Sequence, residues 1–279
     1  MNVLDRIPPK ADHRLPYGND PLQFGDLRLP AAAKAGSPAP LLVMIHGGWW
    51  KAQYDLEYCG FLCEAFRKLG VATWSLEYLR VGNAGGGWPG TMQDVAAGFD
   101  FVTKLAQAYP VDVHRIVAAG HSAGGHLAFW LAGRHHIPHD SPLHEPQPTV
   151  GLRGVVGLAG AVDLRLVIDL AGVFEFAVGK AATESFLGGL PKQVEDRYRA
   201  ANPGDLLPLG VPQVLVQGSE DGQIAPTLPE RYAANARRQG DPVAVKMIEG
   251  ADHFDVVDPE SKAWPVVRDA VMEQFKTRG

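Results

Sequence analysis

The segment Gly120-His121-Ser122-Ala123-Gly124 carries the most chemistry in this chain. An apolar run, Ile116-Val117-Ala118-Ala119, leads into it from Arg115, and helix-forming residues follow it. A serine on so sharp a strand-to-helix turn sits in strained backbone geometry, and Gly120 and Gly124 bring no Cβ to collide across it. The hydroxyl then stands above the strand ends beside the first amides of a helix. A bare five-residue pattern is often an incidental turn. Here the flanking strand and helix supply the context that a nucleophile elbow requires, so Ser122 is read as a nucleophile.

An activated serine needs a base, an acid to orient that base, and donors for a developing oxyanion. The continuous apolar run Leu41-Leu42-Val43-Met44-Ile45 reads as a buried strand and ends in His46-Gly47-Gly48-Trp49-Trp50. Two glycines let that loop aim the amides of Gly48 and Trp49 at the spot served by the amide of Ala123, which makes these three the expected oxyanion donors. His46 precedes the nucleophile, whereas the base should come last in the chain, and is read as a brace for the loop. A further buried strand over 212–218 ends in Ser219-Glu220-Asp221-Gly222, where Asp221 is preferred to Glu220 as the acid from its spacing past the strand. The strand over 243–248 runs into Gly250-Ala251-Asp252-His253, placing His253 where a terminal base reaches back over the sheet. Asp252 and Asp255 flank it but are read as solvated, because neighbours on such a loop seldom fold back onto the adjacent ring.

These parts need a sheet whose strands all end on one side. Gln23-Phe24-Gly25-Asp26-Leu27-Arg28-Leu29 alternates like an edge strand, and 31–39 reads as a hairpin connection. Helices are expected over 52–69, 91–108, 124–134, 228–238 and 261–275, alternating with strands over 71–78 and 154–160. From about 162 to 207 the strand rhythm stops. Short helical pieces are expected there at 164–170, 174–178, 182–187 and 193–200, with Leu170, Val173, Phe174, Phe176 and Phe186 able to line a substrate entrance. The whole chain reads as one α/β domain, a mostly parallel central sheet flanked by helices.

The chain has 279 residues, 46% hydrophobic and 20% charged, which is ordinary for one large globular domain. A formal charge of −5 without a basic cluster argues against nucleic acid or an anionic membrane as partner. The N-terminal residues show no signal-peptide core and no apolar run approaches the ~20 residues of a membrane span, so a cytoplasmic protein is expected. Cys59 and Cys63, four apart on one helical face, are read as reduced core residues, and two cysteines do not make a metal site. The histidine-rich stretch 134–146 is read as a proline-broken surface loop, and Gly85-Gly86-Gly87 lacks the Lys-Ser/Thr of a phosphate cradle. No metal and no cofactor are expected.

Together these residues resemble the α/β-hydrolase family over nearly the whole chain. Within it, His46-Gly47-Gly48-x-Trp50 with Gly120-His121-Ser122-Ala123-Gly124-Gly125 is similar to the branch holding kynurenine formamidase and small carboxylesterases. Trp49 stands where the hormone-sensitive-lipase group has a third glycine. The resemblance implies an α/β-hydrolase fold, a lid at 162–207, a triad of Ser122, Asp221 and His253, and oxyanion donors at Gly48, Trp49 and Ala123. Trp50, Trp88 and His121 are the expected substrate-binding residues, and bulky tryptophans favour a small acyl group. The leading expectation is hydrolysis of small carboxylic esters. Cleavage of aryl formamides such as N-formylkynurenine shares every catalytic part, and a binding protein that has lost turnover would lack one. The expected partner is a small-molecule ester or aryl formamide, and nothing in the sequence opposes a homodimer.

Overall fold

The computed structural model describes residues 3–145, 150–171 and 177–276. Eight strands form one sheet: β1 (His13–Pro16), β2 (Phe24–Arg28), β3 (Ala39–Ile45), β4 (Ala72–Leu76), β5 (Val111–His121), β6 (Gly154–Leu158), β7 (Gln213–Gly218) and β8 (Val243–Ile248). Their spatial order is β1-β2-β4-β3-β5-β6-β7-β8. The pairings of β1 with β2 and of β2 with β4 are antiparallel, and all the others are parallel.

Strict alternation of side chains explains why the central strands read as unbroken apolar runs. Leu41, Val43 and Ile45 of β3 point into one core, Leu42 and Met44 into the other, and the same split separates Ile116 and Ala118 from Val117 and Ala119 in β5. Both faces are therefore dry, as a parallel sheet demands. One is covered by α1 (Gly60–Lys68) and α9 (Trp264–Gln274), through Phe66, Val267 and Val271. The other lies under α2 (Gly90–Asp100), α3 (Val102–Ala108), α4 (Ala123–Gly133) and α8 (Leu228–Arg238), through Val95, Leu105, Leu127 and Tyr232.

Several expected elements differ in the structure. The segment around β2 is not the sheet edge, because β1 pairs outside it with His13 opposite Leu27 and Pro16 opposite Phe24. β1 escaped notice because it is short and mostly exposed, with no apolar face to betray it. The 31–39 connection is no hairpin either, since β4 lies between the strands it joins, although its residues Lys34 and Ser37 pair across a tight turn. The helix expected from residue 52 starts with a 3-10 turn at Glu57–Cys59 before α1, and the one expected over 91–108 is divided into α2 and α3 at Phe101.

Between β6 and β7 come α5 (Leu164–Leu170), α6 (Ala177–Leu187) and α7 (Glu195–Ala201). Asp163 caps α5 by accepting from the amides of Arg165 and Leu166, and Arg165 holds α5 to Glu195 and Asp205 through ion pairs. The helix expected at 174–178 falls largely outside the described residues, as do Val173, Phe174 and Phe176. Cys59 and Cys63 are buried free thiols, both pushed up from the ordinary thiol pKa by burial. Among the described residues no helix is long and apolar enough to cross a membrane.

Candidate functional site

Four loops meet beyond the C-terminal ends of parallel strands: 46–50 after β3, Ser122 after β5, 219–224 after β7 and 249–254 after β8. This is where open α/β sheets gather ligand-binding groups, because each strand delivers its following loop to the same crevice.

Ser122 has φ 54° and ψ −120°, off the ordinary path for an L-residue. Such a conformation costs on the order of 1–3 kcal/mol and must be imposed by its surroundings. Here the chain passes too closely for any alternative: a Cβ on Gly120 would lie 2.0 Å from the Gly124 carbonyl oxygen, and one on Gly124 would lie 2.1 Å from that of Ile45. The backbone is pinned as well, with the Ser122 amide donating to Leu158 O at 2.9 Å and its carbonyl accepting from Ala161 N at 3.0 Å. The side chain opens on a cavity of about 240 Å³ that Gly48, Trp49, Tyr58, His121, Gln223 and His253 also line.

The loop after β3 turns through three consecutive left-handed residues, Gly48 at φ 106°, Trp49 at 54° and Trp50 at 57°. Its approach to the elbow is tight enough that a Cβ on Gly47 would come within 2.8 Å of the Ser122 Cβ. Among the described residues the amides of Gly48 and Trp49 make no hydrogen bond, and neither does that of Ala123 at the first position of α4. Unspent donors beside a serine are the raw material of an anion pocket. His46 sits behind this loop, fully buried, with Nδ1 on the Gly47 carbonyl at 2.8 Å, Nε2 on Glu77 at 3.1 Å and its ring stacked on Tyr78. Burial works to raise the Glu77 carboxyl, but His46 and Arg80 together hold it below the ordinary carboxylate value.

Asp221, not Glu220, meets the histidine. Its Oδ2 lies 2.8 Å from His253 Nδ1 and accepts from Gln217 Nε2 at 2.7 Å, while Oδ1 accepts from the amides of Gln223 and Ile224. Four contacts thus fix the carboxylate, leaving its partner's ring only one orientation. His253 Nε2 makes no hydrogen bond among the described residues; it and the Ser122 hydroxyl face one cavity without a hydrogen bond between them. Contacts of this kind commonly tighten only when substrate arrives. Asp252 and Asp255 bond to each other's amides and to that of Phe254, and leave the ring alone.

Of the three expected substrate-binding residues, only His121 lines this cavity. It is buried, and its pKa is driven far down by burial and by the neighbouring His253. Burial pushes the Tyr58 hydroxyl far up. With both protonation states set, the bonds have one direction: Gly47 N–H donates to Tyr58 Oη at 2.7 Å, that hydroxyl donates to His121 Nδ1 at 2.8 Å, and His121 Nε2–H donates to the His253 carbonyl oxygen at 3.0 Å. Trp50 is turned away by its left-handed backbone and lies fully buried, stacked on Phe186 at 4.7 Å and edge-on to His126. Trp88, tied by its amide to Phe186 O, lines a separate depression with Pro138 and Arg197. Sequence reasoning missed Tyr58, Gln217 and Gln223. Gln217 and Gln223 lie within four residues of Asp221 and were within reach of a search for its donors, whereas Tyr58 carries no local signal.

In the loop after α4, His139 and His144 meet at 3.0 Å and the rings of His135 and His136 lie 4.1 Å apart. Among the described residues no three His, Cys, Asp or Glu side chains gather as a metal site.

The profile of the BD-FAE family matches residues 26–232, well over half of the chain. Solved structures resemble it throughout. A truncated carbohydrate esterase from gut microbiota shares 20% identity at a TM-score of 0.77, covering 98% of this chain and 100% of that one. Esterase B of Lactobacillus rhamnosis shares 19% at 0.79, covering 97% and 87%. A propionate-bound thermophilic esterase of the planctomycete Thermogutta terrifontis shares 20% at 0.69, covering 96% and 92%. No curated protein matches. The mostly parallel eight-stranded sheet with its flanking helices is the α/β-hydrolase fold of these neighbours.

Proposed function

The chain belongs to the BD-FAE family, and we propose that it is a serine esterase that hydrolyses small carboxylic esters through an acyl-enzyme. One observation carries the reading: the Asp221–His253 pair at 2.8 Å lines, through His253, the same cavity as Ser122 and the loop bearing the unspent Gly48 and Trp49 amides. His253 Nε2 takes the Ser122 proton as Oγ bonds to the ester carbonyl carbon. The carbonyl oxygen becomes an oxyanion held by the amides of Gly48, Trp49 and Ala123. Collapse breaks the carbon–oxygen bond to the alcohol, which leaves with the proton from His253, and Asp221 keeps the ring in the one tautomer that permits this. Water then attacks the acyl-enzyme by the same route, releasing the carboxylic acid and restoring the hydroxyl.

Trp49 supports a small acyl group. Its ring and Gln223 wall the cavity on one side, and beyond them lies a pocket of only about 10 Å³ bounded by Val167, Leu170, Gly179 and Leu228. With so little room behind Trp49 a short acyl chain is favoured, in keeping with the propionate named for the Thermogutta terrifontis relative. Val167 and Leu170 of α5 and Gly179 of α6 bound that small pocket, the part expected of a lid.

The test is turnover of p-nitrophenyl acetate, butyrate and octanoate beside formanilide, with Ser122→Ala as control. Acetate and butyrate should be cleaved well, octanoate poorly, and the variant should lose at least about 10⁴-fold. Undiminished turnover in the variant overturns the nucleophile. Formanilide cleaved faster than acetate replaces the esterase by a formamidase, and an inert wild type leaves a binding protein.

A further inference from the structure

We propose that Tyr58 and His121 are positioning residues that lock the base loop to the oxyanion loop, so that His253 and the Gly48–Trp49 amides keep one mutual geometry. The proposal rests on the esterase reading and names two side chains to which that reading assigns no step.

The three hydrogen bonds from Gly47 N–H through Tyr58 and His121 to the His253 carbonyl oxygen join loops that are more than 200 residues apart in sequence. They form a polar path between the two halves of the site, and it runs past the nucleophile: His121 is bonded in sequence to Ser122, and its ring lies 4.6 Å from that of His253. Each member has its capacity used in one direction only. Tyr58 Oη accepts once and donates once, and neutral His121 has one acceptor nitrogen and one donor nitrogen, each engaged. Reversal would require a carbonyl oxygen or a protonated amide nitrogen to change role, which neither can do. Burial adds to this rigidity by keeping His121 neutral, so the path does not open when the solution is acidified moderately.

The path ends on the backbone of His253 and not on its ring. It therefore leaves the Asp221 contact and the proton-carrying Nε2 untouched, while fixing where the residue stands. The backbone of His253 itself has few other ties: its amide makes no hydrogen bond among the described residues, while Phe254 beside it packs edge-on against Tyr58 and tilted against His121, the two members of the path. A displacement of about 1 Å between base and nucleophile is enough to cost roughly a hundredfold in rate.

The decisive variants preserve volume. Tyr58→Phe removes one hydroxyl and leaves Gly47 N–H and His121 Nδ1 unpaired. His121→Gln retains an amide donor that reaches the His253 carbonyl, whereas His121→Asn retains only an acceptor facing Tyr58. Steady-state kinetics with p-nitrophenyl acetate should show kcat lowered about tenfold to a hundredfold in Tyr58→Phe and His121→Asn with KM changed less than twofold, and His121→Gln should recover most of the loss. Thermal unfolding reports folding separately. Lower melting temperatures with kcat and the Gln–Asn ranking both unmoved would mean that the two residues merely fill the interior, and would overturn the proposal. His253→Ala, run alongside, separates the two failures: if it is inactive while the relay variants are normal, only the relay falls, and if it is active, the triad falls with it.

Discussion

His46 and His253 each hold a buried carboxylate at the end of the sheet, Glu77 at 3.1 Å and Asp221 at 2.8 Å. Both rings are nearly inaccessible, and both carboxylates also take hydrogen bonds from backbone amides, Glu77 from Leu56 and Tyr78, Asp221 from Gln223 and Ile224. Judged by charge, burial and partner alone, the two pairs are nearly interchangeable. They differ at the second nitrogen. His46 spends Nδ1 on the Gly47 carbonyl and is sealed behind the loop, with Arg80 completing an ionic cluster around Glu77. His253 has no protein partner at Nε2 among the described residues and lines the Ser122 cavity. A carboxylate–histidine pair is thus a scaffold when both ring nitrogens are satisfied by protein, and under the proposed mechanism becomes a proton carrier when one is left facing a cavity beside a hydroxyl. His121 supports the same distinction, since it lies against His253 with both nitrogens engaged.

The contrast can be broken by experiment, most sharply at His253. Replacing His253 by Ala should lower kcat with p-nitrophenyl acetate by at least about 10⁴-fold while the thermal midpoint barely moves; a retained kcat would erase the difference between the pairs. Asp221→Asn comes next, with an expected fall of about 10⁴-fold in kcat, because the amide's NH₂ or oxygen cannot enforce the tautomer that leaves Nε2 free; a kcat within about tenfold of the wild type would count against it. Glu77→Gln should do the reverse. It removes the charge that faces buried Arg80, costs roughly 3–5 kcal/mol of stability by chemical denaturation, and leaves kcat of the folded enzyme within a few fold.

The same pair sharpens the comparison through pH. The folded-state pKa of Glu77 is depressed, so its contribution is fully present above the ordinary carboxylate pKa and is lost as pH falls through the folded value. The wild-type melting temperature should therefore drop more steeply than that of Glu77→Gln on acidification below about pH 4.5; parallel curves would show that the cluster contributes nothing pH-linked. The smallest effect is expected far from both histidines, at Arg165, whose partly exposed pairs with Glu195 and Asp205 tie α5 to α7 and to the turn after it. Arg165→Ala should cost about 1 kcal/mol or less and alter the acyl-chain preference little.

Much of this was legible from residue types and order. The apolar runs ending at Ile45, Gly120 and Gly218 are buried on both faces of the sheet, and a strand dry on both sides has no polar alternation to obscure it, whereas the run ending at Ile248 is a part-exposed edge strand. Strand-end position then nominated Ser122, Asp221 and His253, because in a parallel sheet the loops following the strands emerge on one side whatever their separation in sequence. Glycine gave the loop geometry away for a steric reason: at Gly48, φ 106° excludes most side chains, and at Gly124 the Ile45 carbonyl leaves no room for one. Strand β1 could not be read, as four residues with mostly exposed side chains bear no pattern until β2 is there to pair with them.

Composition and spacing by themselves therefore determined the sheet, the strand ends and the residue types delivered to them, since these depend on local periodicity and on the steric demands of turns. Which of two adjacent tryptophans faces the cavity was decided only by tertiary structure: Trp49 lines it, while Trp50, edge-on to Trp49, is buried by stacking on Phe186 and packing against His126. The same holds for which histidine keeps a free nitrogen. A hydrogen bond between Tyr58 and His121 spans 63 positions, and its existence depends on the packing of the 3-10 turn against the end of β5, a distance that no pattern along the chain encodes.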